Sequence, residues 1–161
     1  MLFEFLVLLE AVYMKIAVLA GGLSTERNIS FLSGSNVCKA LRERGHRAAI
    51  VDLYMGFERV DAAPEEAFDA PDGLLGTIPV TREEPDLDAI RKGRADQSPS
   101  IFGSGVLEFC RAADVVFLAL HGQCGEDGRV QAAFDLLGIP YTGAGYVSSA
   151  MAMDKAITKV I

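Results

Sequence analysis

The stretch KIAVLAGGLSTERNIS, residues 15–30, sets the architecture of this chain. Residues 15–20 form a short, nearly uninterrupted apolar run, the pattern of a strand buried on both faces of a parallel sheet. Gly21 and Gly22 end the run and allow a tight turn. Beyond the loop, Ile29, Leu32, Val37, Ala40 and Leu41 recur at helical spacing, and Gly45 supplies a C-terminal stop. Residues 48–53, AAIVDL, then predict a second strand. Together these segments make a βαβ unit with an expected right-handed crossover.

Upstream lie thirteen residues, MLFEFLVLLEAVY. They are apolar but too short to span a bilayer, and Glu4 and Glu10 interrupt them. They lack the basic start and small-residue cleavage site of a secretory signal. Met14 immediately precedes the first strand. The expectation is that Met14 is the natural start and residues 1–13 an upstream extension; mass spectrometry of the native amino terminus checks this.

Downstream, residues 56–100 are rich in Asp, Glu, Pro and Gly and lack sustained periodicity. They predict a variable insertion of loops, with short pieces of strand near residues 74–80. Order returns at Gly105. Residues 106–110 suggest a short helix, and VVFLAL (115–120) a third buried strand. The loop HGQCGEDG (121–128) leads into a helix over 129–137 stopped by Gly138. IPYTGAG then gives a short fourth strand, and a helix runs from Val147 to the end of the chain. The alternation predicts a three-layer α/β domain: a mostly parallel, Rossmann-like sheet with helices on both faces. Ligands of such sheets gather at the carboxyl ends of the strands. Both Gly-rich loops, 21–28 and 121–128, leave strands at that end, so two distant segments can form one site.

A chain of 161 residues is enough for one domain with a real core. Half of it is hydrophobic and 23% is charged, ordinary proportions for a soluble globular protein. The net charge of −7 argues against nucleic acid as a partner, because neutralising phosphates needs an excess of Lys and Arg. Cys38, Cys110 and Cys124 are odd in number and widely spaced. They match no zinc pattern and read as reduced thiols of a cytoplasmic protein.

Three segments hold residues suited to chemistry. In the first, Glu26 stands after the double-glycine turn, near a helix start with free N–H groups. A carboxylate there would repel a pyrophosphate and suits a substrate ammonium group. Alternatively, Glu26 or Ser30 caps the helix. In the second, His121 sits at a strand end before Gly122. A metal site from His121, Glu126 and Asp127 is conceivable but matches no zinc spacing, and Asp127 reads as the cap of its turn. In the third, Tyr141 and Thr142 precede Lys155, which is either a solvated lysine or a phosphate contact.

The ensemble resembles the D-alanine–D-alanine ligase family. The family pattern GG-x-S-x-E-R-x-x-S appears as GGLSTERNIS from Gly21 to Ser30. LHG-x-x-GEDG appears from Leu120 to Gly128, G-[IL]-PYTG from Gly138 to Gly143, and S-x-x-x-MDK from Ser149 to Lys155. Four ordered motifs are far more specific than any one alone. The resemblance covers residues 14–161 apart from the insertion. It implies a pre-ATP-grasp, substrate-binding domain over 14–161, with residues 147–161 starting a helix that leads to a central domain. It implies phosphorylation of one D-alanine by ATP and attack of a second on the acyl phosphate, with two Mg²⁺ ions (or Mn²⁺) neutralising the phosphates. The product feeds peptidoglycan synthesis in the cytoplasm.

By the same resemblance, Glu26 holds the first D-alanine's ammonium group, and Ser30 belongs to the hydrogen-bonded support of the second-substrate region. His121, followed by Gly122, lies beside the acyl-phosphate centre, and Lys155 reaches the ATP phosphates. Family members continue for roughly another 200 residues, a length consistent with further domains. This segment alone is therefore expected to be inactive, with no tightly bound cofactor. No membrane partner is expected, and a homodimer through this domain is. Relatives making D-alanyl-D-lactate or D-alanyl-D-serine are the alternatives. A dinucleotide-binding module is a further one, with Asp52 as its ribose acid and a turn that departs from GxGxxG.

Overall fold

A computed structural model describes residues 13–57, 63–70 and 83–160. Three strands, β1 (Lys15–Ala20), β2 (Arg47–Asp52) and β3 (Val115–Leu118), form a parallel sheet in the order β2-β1-β3. The register runs from Lys15 opposite Arg47 to Ala20 opposite Asp52, and from Ile16 opposite Val115 to Leu19 opposite Leu118. The apolar run that marks β1 follows from this order: the central strand is covered on both faces and both edges.

Alternation along the strands divides the interior into two cores. Ile16, Val18, Ala20, Ala48 and Ile50 face one side, where Phe31 and Cys38 of helix α1 (Arg27–Glu43) cover them. Ala17, Leu19, Ala49, Val51 and Val116 face the other. There helices α3 (Val106–Ala112) and α4 (Arg129–Leu137) supply Val106, Phe109, Cys110, Val130 and Phe134. The expected three-layer arrangement is therefore present.

Several details differ from the sequence-based expectations. The inner face of α1 is Arg27, Ser30, Phe31, Gly34 and Cys38, whereas Ile29 and Leu32 are exposed. The helix lies too close to the sheet for large side chains at its centre. A Cβ on Gly34 would stand 2.9 Å from Ile50 Cδ1 and 3.0 Å from the Ala20 Cβ. The fourth strand is reduced to an isolated parallel bridge between Val116 and Tyr141. Two backbone bonds secure it, Val116 N–H to Pro140 O and Thr142 N–H to Val116 O.

The closing helix is two helices, α5 (Tyr146–Met153) and α6 (Lys155–Thr158). Asp154, in an extended conformation, breaks the run, and its side chain accepts the N–H groups of Ala156 and Ile157, a cap that starts a new helix.

The insertion is more than surface decoration. It contains a 3₁₀ turn (Glu66–Asp69) and helix α2 (Leu87–Lys92). Phe57, Ala67 and Phe68 enter the α3/α4-side core, with Phe68 stacked on Phe109 at 4.7 Å between ring centroids. Arg94 is almost fully buried; its guanidinium lies 4.7 Å from the Tyr54 ring centroid and donates to Phe102 O at 2.9 Å. The strand pieces expected at 74–80, and all but the last residue of the upstream extension, lie outside the described residues.

Candidate functional site

The loops after β1 and β3 leave the sheet side by side because those strands are neighbours. Gly21 and Gly22 have φ of +74° and +80°, so the chain turns through two consecutive left-handed residues, a conformation glycine adopts without steric cost. Ser24 is buried, and its Oγ accepts the Glu26 N–H at 3.1 Å. Glu26 itself is exposed and makes no side-chain capping bond, so the helix-cap alternative does not describe it.

The second loop meets the first at Gly122. A Cβ there would lie 2.6 Å from Ser24 Oγ and 3.0 Å from Glu26 Oε2. With φ of +71° and no room for a side chain, this position accommodates only glycine. The Gly122 N–H donates to Glu126 Oε2 at 2.7 Å. The carboxylates of Glu26 and Glu126 thus converge on one residue, making a locally anionic patch suited to a small cation.

His121 is about one-third exposed beside them, with Nδ1 4.0 Å from Glu126 Oε1. Its Nε2 lies 3.3 Å from Ser33 Oγ on α1. The imidazole is thereby suspended between the two loops' elements. Asp127 serves its own turn, accepting the N–H groups of Cys124 and Arg129. Among the described residues, no three His, Cys, Asp or Glu side chains come together as a metal set.

Ser30 sits beneath the two loops with no exposed surface. Its hydroxyl accepts the Gly21 N–H at 2.8 Å and donates to Ala119 O at 2.7 Å. Both functions of the hydroxyl are occupied, so Ser30 ties the two loops together from below and does not line the site. The structure therefore brings Glu26, His121 and Gly122 together and places Ser30 as their support. Lys155 lies elsewhere, exposed at the first position of α6. That helix follows α5, one wall of a cleft of about 530 Å³ that reaches Glu126, Gln131 and Thr142.

Arg27 and Asp52 form a buried ion pair that sequence reasoning did not assign to the site. Asp52 accepts Gly22 N–H at 3.2 Å and Tyr54 N–H at 2.9 Å, and Arg27 closes the set. With Asp52 4% exposed and so engaged, the ribose-binding role of a dinucleotide module is already taken. The available signal for this pair was the Arg directly after Glu26 and the acid ending β2. Nothing in the sequence marks Ser33 or its approach to His121.

Comparison with known proteins bears on the family and the fold. Residues 15–144 match the family described as D-ala D-ala ligase N-terminus. The chain is 47% identical over 153 residues to a D-alanine–D-alanine ligase of Pediococcus pentosaceus, covering 92% of this chain and 42% of that protein. It is 43% identical over 152 residues to one of Lacticaseibacillus casei, covering 92% of this chain and 41% of the relative. Among solved structures, a D-alanine–D-alanine ligase of Bacillus anthracis aligns with a TM-score of 0.51 at 26% identity, over 91% of this chain and 33% of that one. The same enzyme complexed with ATP gives a TM-score of 0.54 at 24% identity, a likeness of fold. The chain thus spans less than half the length of these relatives.

Proposed function

Because the chain belongs to the D-alanine–D-alanine ligase family, matched in its N-terminal region, we propose that it forms the amino-acid-gripping wall of an ATP-dependent ligase that joins two D-alanines. The observation that carries the proposal is the exposed Glu26 carboxylate, held over Gly122 beside His121. Glu26 pairs with the ammonium of the first D-alanine, and the opposite charge together with the fixed loop sets the direction of its carboxylate. His121, steadied by Ser33 and Glu126, lies beside the centre where that carboxylate becomes an acyl phosphate, and its ring N–H stabilises developing negative charge there. The amine of a second D-alanine then displaces phosphate to give the dipeptide for peptidoglycan.

Residues 14–161 act as the substrate-binding domain, with 147–161 leading into a further one. Lys155, exposed on α6, is this chain's contribution to the ATP phosphates. Mg²⁺, which would neutralise phosphate charge, finds no ligand set among the described residues, so no step here is assigned to it. The names of the relatives support D-alanine, rather than D-lactate or D-serine, as the second substrate. The site of action is the cytoplasm, where ligation of this kind supplies peptidoglycan precursors; no described helix is long and apolar enough to cross a membrane. The exposed Ile29 and Leu32 on α1 support a homodimer through this domain, which sedimentation of the chain checks.

The decisive test is Glu26→Gln in the ligase that carries this domain, followed by phosphate release with D-alanine and Mg-ATP. Loss of one charge-assisted contact at a reacting centre predicts a fall in kcat/KM of roughly 100-fold. Unchanged kcat/KM would refute the assignment of this pocket.

A further inference from the structure

The structure assigns to the buried Arg27–Asp52 pair the task of positioning Glu26. This assignment rests on the reading of Glu26 as the ammonium ligand. The pair holds both polar groups of a single residue, Gly22. Its N–H donates to Asp52 Oδ1 at 3.2 Å, and its carbonyl accepts Arg27 Nη1 at 2.6 Å. Arg27 bonds both oxygens of Asp52, Oδ1 at 3.1 Å from Nη1 and Oδ2 through Nη2. Its guanidinium also lies 4.9 Å from the Phe31 ring centroid. Arg27 is 9% exposed and Asp52 4%.

The first turn of α1 does not depend on this arrangement. It is already held by Arg27 N–H to Ser24 O at 3.1 Å and Ser30 N–H to Glu26 O at 2.9 Å. A buried ion pair is also no better at stabilising a fold than well-packed apolar side chains of similar volume, because both charges must be desolvated. What the pair supplies is geometry. It fixes the double-glycine turn, which would otherwise be the most permissive point between β1 and α1. It also fixes the inward course of Arg27, the residue joined directly to Glu26. With Arg27 anchored beneath, the preceding side chain is turned outward to Gly122. A guanidinium can brace a carboxylate and a carbonyl at once because its donors are set in a rigid fork; an ammonium cannot reproduce that fork.

The test uses Arg27→Lys, Asp52→Asn, Glu26→Gln and the double variant Glu26→Gln/Arg27→Lys in the ligase carrying this domain. For each, KM for D-alanine, kcat and the thermal midpoint are measured. Misaiming the carboxylate should raise KM in Arg27→Lys by on the order of tenfold or more. In the double variant Arg27→Lys should add little to Glu26→Gln, because the group it aims is already neutral. A merely structural pair would instead lower the thermal midpoint and multiply its kinetic effect with that of Glu26→Gln; that additivity, or an unchanged KM in Arg27→Lys, overturns the proposal. Should Arg27→Lys fail to fold, Asp52→Asn carries the same expectations, since its amide oxygen still accepts the Gly22 N–H. Glu26→Gln with no effect on KM overturns the ammonium reading and this proposal with it. That outcome is distinct because it involves neither member of the pair.

Discussion

Three thiols of one chemical type have two different fates in this protein. Cys38 and Cys110 are buried, and Cys124 is half-buried in the loop after β3 with φ of +70°. Burial raises the Cys38 thiol above its ordinary value. Burial, helped by the nearby Glu108 carboxylate, pushes Cys110 up to about 12. Thiolate is the reactive form, so a thiol reagent at pH 8 should label Cys124 and leave the other two untouched until the chain unfolds. Mass mapping of labelled peptides checks this. The sign of the accompanying pH effect follows from linkage. An unfolded Cys110 ionises from its ordinary value of 9.0, while the folded one keeps its proton to about 12. The unfolded state therefore loses protons first, and stability falls as pH rises from 9 towards 12. Thermal midpoints measured across that window should decline, and less so in Cys110→Ala compared with its own midpoint at pH 8.

Among elements, α1 decides how closely the two loops approach. Its inner face carries a glycine at the point of nearest contact with β1 and β2. Gly34→Ala sets two opposing effects against each other: alanine favours the helix by about 1 kcal/mol, but its methyl meets Ile50 Cδ1 at 2.9 Å and Ala20 Cβ at 3.0 Å. Overpacking of this kind costs about 1–3 kcal/mol, so the variant should be less stable by urea titration, and Gly34→Val more so. The same helix shows where sequence patterning stops. Its existence and its stop at Gly45 were legible from periodicity, as were β1, β2 and β3. Its buried face was not, because Arg27, Ser30 and Gly34 are residue types that periodicity counts as outward-facing. Glu26 and His121 could be singled out because each stands in a glycine-containing loop after a strand. Arg27 is marked only by its place after Glu26, since an arginine becomes an inner residue only when a partner such as Asp52, 25 positions away, meets it in three dimensions.

At the scale of the whole molecule, the two cores are joined through one sheet, and the α3/α4-side core is the larger. Phe109 is its hub, with ring centroids 5.4 Å from Phe57 and 4.7 Å from Phe68. It links α3 to the inserted 3₁₀ turn, and so makes the insertion part of the folding unit. Phe109→Ala should cost about 3–5 kcal/mol, a large part of the 5–15 kcal/mol that holds a typical domain together. Denaturation followed by circular dichroism checks this; a loss below 1 kcal/mol would mean that the insertion packs independently. The order β2-β1-β3 also bears on the birth of the protein. The strand synthesised first is the one that ends in the middle, and the pocket's two lips are made about a hundred residues apart. While the ribosome is still building β3, Glu26 exists without Gly122 or His121 opposite it. If Glu26 is the ammonium ligand proposed above, a nascent chain cannot complete that grip until its third strand docks. The two loops therefore become neighbours in one step, when the third strand docks.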